Sequence, residues 1–360
     1  MIYQCIPSSL NVDGGVKNYV KSLLDWRIPN TSDNILTTLQ NIRLEQFDLL
    51  HIHGAELLGE IWHKCPVIYT LHNHNSYCPS GTKYLTANQL SCERTMSKLG
   101  CTWGHLVEGC GSRRPQNMIK NLQRSQWELE TLKRLKILII ANSNYVRGWL
   151  IKNGLPPHQV ITLHCGVSKP SAIQPLTQNI HQNQRILFVG RIVPDKGLSW
   201  LLEALTLTEP KIHLDIAGDG WERPQMENLV KKLGLTKRVT WQGWCHQQKL
   251  DELYQQCFCV IFPSVWPEPA GLVTLEAYAR YRPVIASAVG GIPEYLHSGE
   301  TGLLIKANHR TQLAAAINEL SQDYFKTQKM GQQGHTLFKE KFTMDIHVQK
   351  LQKIYEQYLA

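Results

Sequence analysis

Short, mainly aliphatic runs alternate along the whole chain with longer stretches of mixed polarity. The apolar runs predict buried strands, and the stretches between them predict helices because apolar residues recur there at helical spacing. Strands that alternate with helices indicate a parallel α/β sheet. The strands are expected at 2–7, 47–54, 66–72, 137–143, 160–163, 185–190, 213–217, 238–243, 259–262 and 284–287, and the first and last helices at 16–24 and 344–358.

The length of 360 residues predicts two domains, each able to bury its own core. Residues 168–184 are polar and contain two prolines, which is typical of a linker. We therefore expect a first domain over 1–167, a second over 185–342 and a separate terminal helix over 343–360.

The formal net charge is +9, and most of the excess lies in the first half of the chain. Basic and aromatic residues do not alternate and no nucleic-acid motif is present, so nucleic acid is not the expected partner. An anionic membrane face or a phosphate-bearing acceptor fits the basic half better. No apolar run is long enough to span a bilayer, and the first residues form a strand pattern rather than a secretory signal, which predicts a cytoplasmic protein.

The most informative stretch begins at the apolar run 259–262, continues as a proline-rich loop and enters a helix near Gly271. Free N–H groups of Gly271, Leu272 and Val273 at a helix start attract an anion such as phosphate. Glu268 before the helix and Glu276 inside it can accept hydrogen bonds from hydroxyls. A nucleotide sugar offers both a diphosphate and hydroxyls; the alternative is a helix whose acidic first turn only complements its dipole.

Two further segments suit phosphate. Arg191 and Lys196 follow the strand 185–190, where two cations can neutralise a diphosphate. Gly14 and Gly15 lie between the first strand and the first helix, where their backbone can approach a phosphate closely. A plain tight turn explains the two glycines equally well.

Histidines end two neighbouring predicted strands. His53 follows 47–52 and His72 follows 66–71, at the strand ends where ligands bind in parallel sheets. A single histidine at such a place is more often structural, and nearby His74 cannot be ranked from the sequence.

Four of the ten cysteines are clustered in a loop over 77–112, at Cys78, Cys92, Cys101 and Cys110. Their spacing does not match a Cys-x2-Cys zinc knuckle, so free thiols, a structural zinc ion and disulfides all stay open. Residues 113–136 form a basic amphipathic pattern, which indicates either a solvated helix face over a core stripe or peripheral membrane docking.

Several of these motifs together resemble the retaining glycosyltransferases of family 4, which have the GT-B fold. The resemblance includes Pro263-Ser264, the pair Glu268 and Glu276 with Gly271-Leu272 between them, the segments 288–294 and 299–304, and Arg191 with Lys196. It spans nearly the whole chain. It implies two Rossmann-like domains that face a central cleft, with the last helix crossing back to the first domain.

The resemblance also implies residue roles. Arg191 and Lys196 would neutralise the departing diphosphate, Glu268 would bind the donor sugar, Glu276 the ribose, and His72 would line the reacting face. Gly14 and Gly15 would close over the donor phosphates, and Trp244 and Cys245 lie at the turn that holds the base. The donor would be a UDP- or GDP-linked sugar, no cofactor is required, and no Asp-x-Asp pair stands at a strand end to hold an active-site metal.

The implied activity is transfer of a sugar, with retention, to a glycan, a glycolipid or a small molecule, as in polysaccharide assembly. A catalytically silent GT-B subunit and a GT-B nucleotide-sugar epimerase are the alternatives. A phosphorylase would need a lysine site for pyridoxal phosphate, and none is recognisable.

Overall fold

The computed structural model describes residues 1–8, 15–26, 28, 31–39, 48–61, 65–170 and 174–359. The chain forms two compact units. The first contains Met1–Ser168 and Met344–Ala360, and the second contains Lys169–Thr343.

The strands, in chain order, are β1 (Ile2–Cys5), β2 (Thr31–Leu36), β3 (Leu49–Ile52), β4 (Val67–Leu71), β5 (Tyr84–Leu85), β6 (Leu90–Ser91), β7 (Leu138–Ala141), β8 (Val160–Thr162), β9 (Arg185–Val189), β10 (His213–Ala217), β11 (Val239–Gly243), β12 (Cys259–Phe262), β13 (Val284–Ser287) and β14 (Gly302–Ile305). The helices are α1 (Gly15–Asp25), α2 (Lys98–Leu106), α3 (Pro115–Leu135), α4 (Asn144–Lys152), α5 (Gln178–Gln182), α6 (Leu198–Leu205), α7 (Arg223–Lys232), α8 (Gln247–Gln256), α9 (Leu272–Ala279), α10 (Arg310–Gln322), α11 (Tyr324–Lys341) and α12 (Met344–Leu359).

Each unit is built on a six-stranded parallel sheet. The first sheet has the order β2-β1-β3-β4-β7-β8 and the second has the order β11-β10-β9-β12-β13-β14. Counted within its own sheet, the second order is 3-2-1-4-5-6, which is that of a dinucleotide-binding fold. The strands are short and buried on both faces, as in β12, where all four residues are buried. This explains why they appear in the sequence as continuous apolar runs.

The last helix packs on the first sheet. Met344, Val348, Leu351 and Tyr355 of α12 lie on one helical face and join the core cluster that contains Ile68 of β4. The β4 residues on either side of Ile68 point to the other face of the sheet, where they pack in a second core with residues of α3 and α4. Helix α12 therefore belongs to the first unit, as the predicted fold class requires.

In the segment predicted as a linker, 168–184, the described residues from 174 onward include a short helix and buried side chains. Leu176 is buried, and α5 places buried His181 where its Nε2 lies 2.8 Å from the carbonyl oxygen of Leu320. The structure divides the chain at Ser168, so most of the segment packs on the second unit. The polar composition of the segment gave no indication of the buried Leu176 or of the His181 hydrogen bond.

Candidate functional site

The centre of the second sheet is a topological switch point. Strand β9 pairs with β10 on one side and with β12 on the other, and all three are parallel. The loops that follow β9 and β12 therefore leave the same edge of the sheet. In open α/β sheets this is where ligands bind.

The two loops meet in an ion pair between residues predicted separately. Lys196 Nζ lies 2.5 Å from Glu268 Oε1, and the lysine side chain is only 16% exposed. Ser264 donates a hydrogen bond of 2.8 Å to the same carboxylate oxygen. The backbone N–H of Val265 donates to the carbonyl of Asp195 at 3.0 Å. The side chains of the pair are therefore positioned by the contacts between their loops.

Glycines allow this close approach. Gly197 has φ of +74°, and a Cβ there would lie 1.9 Å from the carbonyl oxygen of Pro263. Gly290 has φ of +59°, and a Cβ there would lie 2.3 Å from the carbonyl oxygen of Glu268. Gly291 donates its N–H to that same oxygen at 2.7 Å. Both positions need a residue without a side chain.

Positive charge at this edge is not fully neutralised. Arg191 is exposed, and its side chain has no ion-pair or hydrogen-bond partner among the described residues. The N-terminus of α9 has no side-chain cap at Gly271, so the first-turn N–H groups of Leu272 and Val273 have no intrahelical acceptor. Together with Lys196 these groups can bind an anion.

Glu276 lies one turn inside α9 and is half-buried. Its Oε2 accepts a hydrogen bond of 3.1 Å from the hydroxyl of Tyr254. Burial raises the pKa of this carboxyl group, against the opposing effects of Arg280 and the Tyr254 hydrogen bond. Glu276 can still accept a ligand hydroxyl, and it also has this structural contact within the unit.

The two residues predicted at the base-binding turn follow β11, at the outer edge of the sheet. Trp244 is 70% exposed, and Cys245 is half-buried with its sulfur 3.5 Å from the carbonyl oxygen of Gly243. The Lys196–Glu268 pair follows β9 and β12, which are the second and third strands from β11 in the sheet.

Three further groups near these elements were not predicted. Ser264 is fully buried and binds Glu268 directly. The hydroxyls of Thr274 on α9 and Ser287 at the end of β13 are buried with no hydrogen-bond partner in the described part of the chain. Buried hydroxyls without a hydrogen-bond partner, at the sheet edge where ligands bind, are suited to form hydrogen bonds with a ligand. The sequence indicated Ser264 only as part of the Pro263-Ser264 motif, and the signal for Thr274 and Ser287 is no more than a hydroxyl residue at a helix start or a strand end.

In the first unit, the histidines predicted at strand ends meet. His53 follows β3, His72 follows the adjacent β4, and His53 Nδ1 lies 3.0 Å from His72 Nε2. On its other side, His53 Nε2 lies 2.8 Å from Gln4 Oε1. His74 is buried elsewhere, with its Nδ1 2.5 Å from the Tyr77 hydroxyl.

These contacts determine where the protons lie. Gln4 Oε1 can only accept, so His53 carries its proton on Nε2. Burial, together with His51 and His72, lowers the pKa of His53 well below its usual range, so the ring is neutral and Nδ1 is an acceptor. His72 must then donate from Nε2, which leaves its Nδ1 with a free lone pair.

Helices α1 and α12 complete the histidine cluster. The Tyr19 hydroxyl lies 2.7 Å from His347 Nε2, and the Tyr19 ring centroid lies 5.3 Å from that of His72. The Tyr355 hydroxyl lies 2.6 Å from His51 Nδ1. Neither helix was predicted to reach these side chains. Gly15 begins α1, whereas Gly14 lies outside the described residues.

The four clustered cysteines converge on one small cavity, which we call the cysteine pocket. It is lined by Cys78, Cys92, Cys101 and Cys110 with Lys83, Arg94, His105 and neighbouring residues. All four are free thiols, and burial raises the pKa of Cys110 to about 12. Within the described ranges, no three His, Cys, Asp or Glu side chains stand ready to hold a metal ion. The choice between thiols and zinc therefore stays a prediction.

The basic amphipathic segment forms α3, whose buried face includes Met118, Leu129 and Leu132. Trp127 and Ile119 of the same helix are exposed by more than two-fifths. The core stripe is thus confirmed, whereas membrane docking stays a prediction. No helix in the described part of the chain is both long and apolar enough to cross a membrane.

Comparison with known proteins gives matches to both units. The family model described as Glycosyltransferase Family 4 matches residues 10–169, and the one described as Glycosyl transferases group 1 matches residues 174–336. An uncharacterised glycosyltransferase of Methanocaldococcus jannaschii is 34% identical over 141 residues, which are 39% of this chain and 36% of that relative. Another from the same organism is 26% identical over 358 residues, 96% of this chain and 95% of the relative.

Among solved structures, HepE of Anabaena in complex with UDP-glucose aligns with a TM-score of 0.74 at 18% identity. The alignment covers 99% of this chain and 100% of that one. This likeness, with the two parallel sheets, confirms the predicted fold class of two Rossmann-like domains.

Proposed function

Since the chain belongs to family 4 of the group 1 glycosyltransferases, we propose that it transfers a sugar from a nucleotide-diphosphate sugar to an acceptor. The observation that carries this proposal is the Lys196–Glu268 pair at the switch point, beside Arg191 and the uncapped start of α9. Cations and N–H groups suit a diphosphate, and the carboxylate suits sugar hydroxyls.

The proposed reaction breaks the bond between the anomeric carbon and a diphosphate oxygen and forms one between that carbon and an acceptor hydroxyl oxygen, whose proton is taken up by the departing diphosphate. Negative charge grows on the diphosphate as it leaves, so Arg191 and Lys196 stabilise the transition state more than the bound donor. Two protein cations can supply this stabilisation, and we propose transfer without an active-site metal and with retention. Glu268 accepts from the donor sugar, and Glu276 accepts from the ribose.

We propose UDP rather than GDP as the nucleotide. The fold likeness to HepE, solved with UDP-glucose, supports this choice, and the base would lie at the turn of Trp244 and Cys245. For the acceptor we propose a glycan or a lipid-linked glycan. The support is the charge of the first half of the chain, which carries 18 basic and 11 acidic residues over 1–180. Peripheral contact with a membrane face would bring such an acceptor near.

A panel of UDP- and GDP-sugars tests the proposal. The purified protein should release nucleoside diphosphate from one donor, and more quickly when a glycan or glycolipid acceptor is added. Tight binding of a nucleotide sugar, without release of nucleoside diphosphate from it, would favour the silent subunit. Conversion of the donor to an isomer without release would favour the epimerase.

His53 should act as a positioning residue for His72, whose free Nδ1 we propose accepts from the bound donor. His53→Ala removes the acceptor for His72 Nε2–H, and the loss of about one hydrogen bond predicts roughly a 10-fold lower kcat with little change in KM. His53→Asn keeps an acceptor near the position of Nδ1 and should recover most of kcat. Equal activity in His53→Ala and the parent protein would contradict the role.

The two glutamates should sense different parts of the donor. Each charge-assisted hydrogen bond is worth on the order of 1.5–3 kcal/mol, so Glu268→Gln and Glu276→Gln should each lower kcat/KM about 10- to 100-fold. Glu276→Gln should also weaken binding of free UDP, because it loses the ribose contact. Glu268→Gln should leave UDP binding unchanged and alter the preference among donor sugars.

Calorimetric titration with UDP and kinetics with the intact donor measure these effects. Glu252→Gln is a matched control, because Glu252 is exposed on α8 and pairs only with Lys249 among the described residues. If UDP affinity falls equally in both site variants, or if neither variant loses transfer activity, the two carboxylates do not bind separate parts of the donor.

A further inference from the structure

The cysteine pocket lies outside the proposed donor site and collects side chains from four separate places in the chain. Cys78 follows the loop after β4, Cys92 follows β6, Cys101 lies in α2 and Cys110 follows α2. All four line a cavity of about 20 Å³, which accommodates a single water molecule or an ion but no organic ligand. A buried free cysteine can simply fill a core, but its thiolate is also a metal ligand, so four sulfurs around one cavity can hold an ion.

A fifth donor atom lines the same cavity and has no partner. His105 Nδ1 lies 3.0 Å from the carbonyl oxygen of Ser112, which can only accept, so Nδ1 carries the proton. The lone pair is therefore on Nε2, which is buried without any hydrogen-bond partner in the described chain. A histidine that donates one N–H to a carbonyl and presents the other nitrogen is oriented as metal-binding histidines are. Cys101 stands four residues earlier on the same face of α2.

The charges around the pocket suit an anionic centre. Lys83 is 1% exposed, and its Nζ donates to the carbonyl oxygen of Arg94 at 2.7 Å and lies 3.3 Å from the ring centroid of Trp149. The described residues place no carboxylate within ion-pair distance of this ammonium group. Burying an unpaired charge is unfavourable. Four thiolates around a divalent cation carry a net charge of −2 and would compensate it.

We propose that the cysteine pocket binds one Zn²⁺ ion, held by four of the five donors Cys78, Cys92, Cys101, Cys110 and His105. Thiolate and imidazole ligands select zinc over magnesium or calcium. Since the donors do not stand at coordination distances in the described chain, binding draws the side chains inward by rotation about their side-chain bonds. The ion joins the β5–β6 hairpin to α2, and its role is structural.

Metal content tests the proposal directly. Protein purified under reducing conditions from a zinc-supplemented culture should contain about one zinc per chain by elemental analysis. X-ray absorption at the zinc edge should show three or four sulfur ligands near 2.3 Å. Removal of zinc by a chelator should increase amide exchange within residues 78–112 before it affects the remainder of the chain, and added Zn²⁺ should reverse the increase.

Two variants complete the test. Cys101→Ser should reduce bound zinc to roughly a tenth or less, whereas Cys65→Ser, which changes a half-buried cysteine outside the pocket, should keep one zinc per chain. Should Cys101→Ser fail to fold, the chelation and zinc-return experiment on the parent protein decides alone. A parent protein that contains no zinc and takes up none when titrated, contains iron instead, or has a mass that shows disulfides among these cysteines would overturn the proposal.

Discussion

Lys196→Ala should lower kcat/KM for the nucleotide sugar by roughly 10²-fold or more, the scale expected for losing one preorganised charge contact. The ammonium group is held 2.5 Å from Glu268 by two loops in contact, so it meets the diphosphate without reorganisation. Steady-state kinetics with the donor measure the effect. Lys249→Ala, at an exposed lysine on α8, is the control of equal charge change.

The ion pair complicates this experiment, because alanine at 196 also leaves buried Glu268 without its cation. The double variant Lys196→Met with Glu268→Gln removes both charges. If the pair were only structural, the double variant would recover activity; a phosphate contact of Lys196 predicts that the double variant is slower than Glu268→Gln alone. Arg191→Ala gives a second check. Arg191 is exposed and its side chain is unpartnered among the described residues, so its loss should slow transfer without changing thermal stability. Normal turnover in both single variants would contradict the phosphate contact.

The sequence predicted the residues of this pair but not their contact. Lys196 and Glu268 are 72 positions apart, and each was predicted because it follows a strand. The rule that parallel strands bind ligands at their carboxyl ends brings such residues to one edge. The rule does not tell which side chains touch, because that depends on loop geometry. Here the geometry depends on Gly197 and Gly290, where a Cβ would collide with the opposite backbone.

The histidine cluster combines residues that the sequence predicted with contacts that it did not predict. His53 and His72 were predicted together from adjacent strands. His347 and Tyr355 lie on a helix whose apolar spacing predicted only burial, so nothing local indicated that their polar atoms would reach the sheet. The cysteines were similarly ambiguous, because the spacing within 78–110 does not encode which sulfurs converge. In both cases the contacts depend on packing between distant segments.

Acidification should destabilise the first unit through these histidines. Burial lowers the pKa of His72 and His347 to about 4 and that of His51 to about 3, while His53 is also lowered. In the unfolded chain each titrates near 6.5. The unfolded state therefore binds more protons below pH 6.5, and the contribution to stability, fully present above that pH, is lost as the pH falls from about 6.5 to about 3.

Three of these histidines, His51, His53 and His347, are almost fully buried. Each unfolded imidazole is half protonated at pH 6.5 and almost fully protonated at pH 5.5, so each histidine should lower the free energy of unfolding by about 1 kcal/mol over this interval and the three together by roughly 3 kcal/mol. Tyr19 and Tyr355 face the cluster, and burial raises the pKa of both, so they stay protonated throughout.

Urea unfolding of the first unit at pH 7.5, 6.5 and 5.5 measures the loss, followed by amide exchange on β3 and β4. His51→Gln should reduce the loss of stability by the share of one histidine, roughly 1 kcal/mol between pH 6.5 and 5.5. His158→Gln changes an exposed histidine of the same unit and should leave the slope unchanged. A protonated histidine donates from both ring nitrogens and can accept at neither. A first unit that is equally stable at pH 7.5 and 5.5 would therefore mean that these rings are hydrated in the folded protein and not buried as neutral groups.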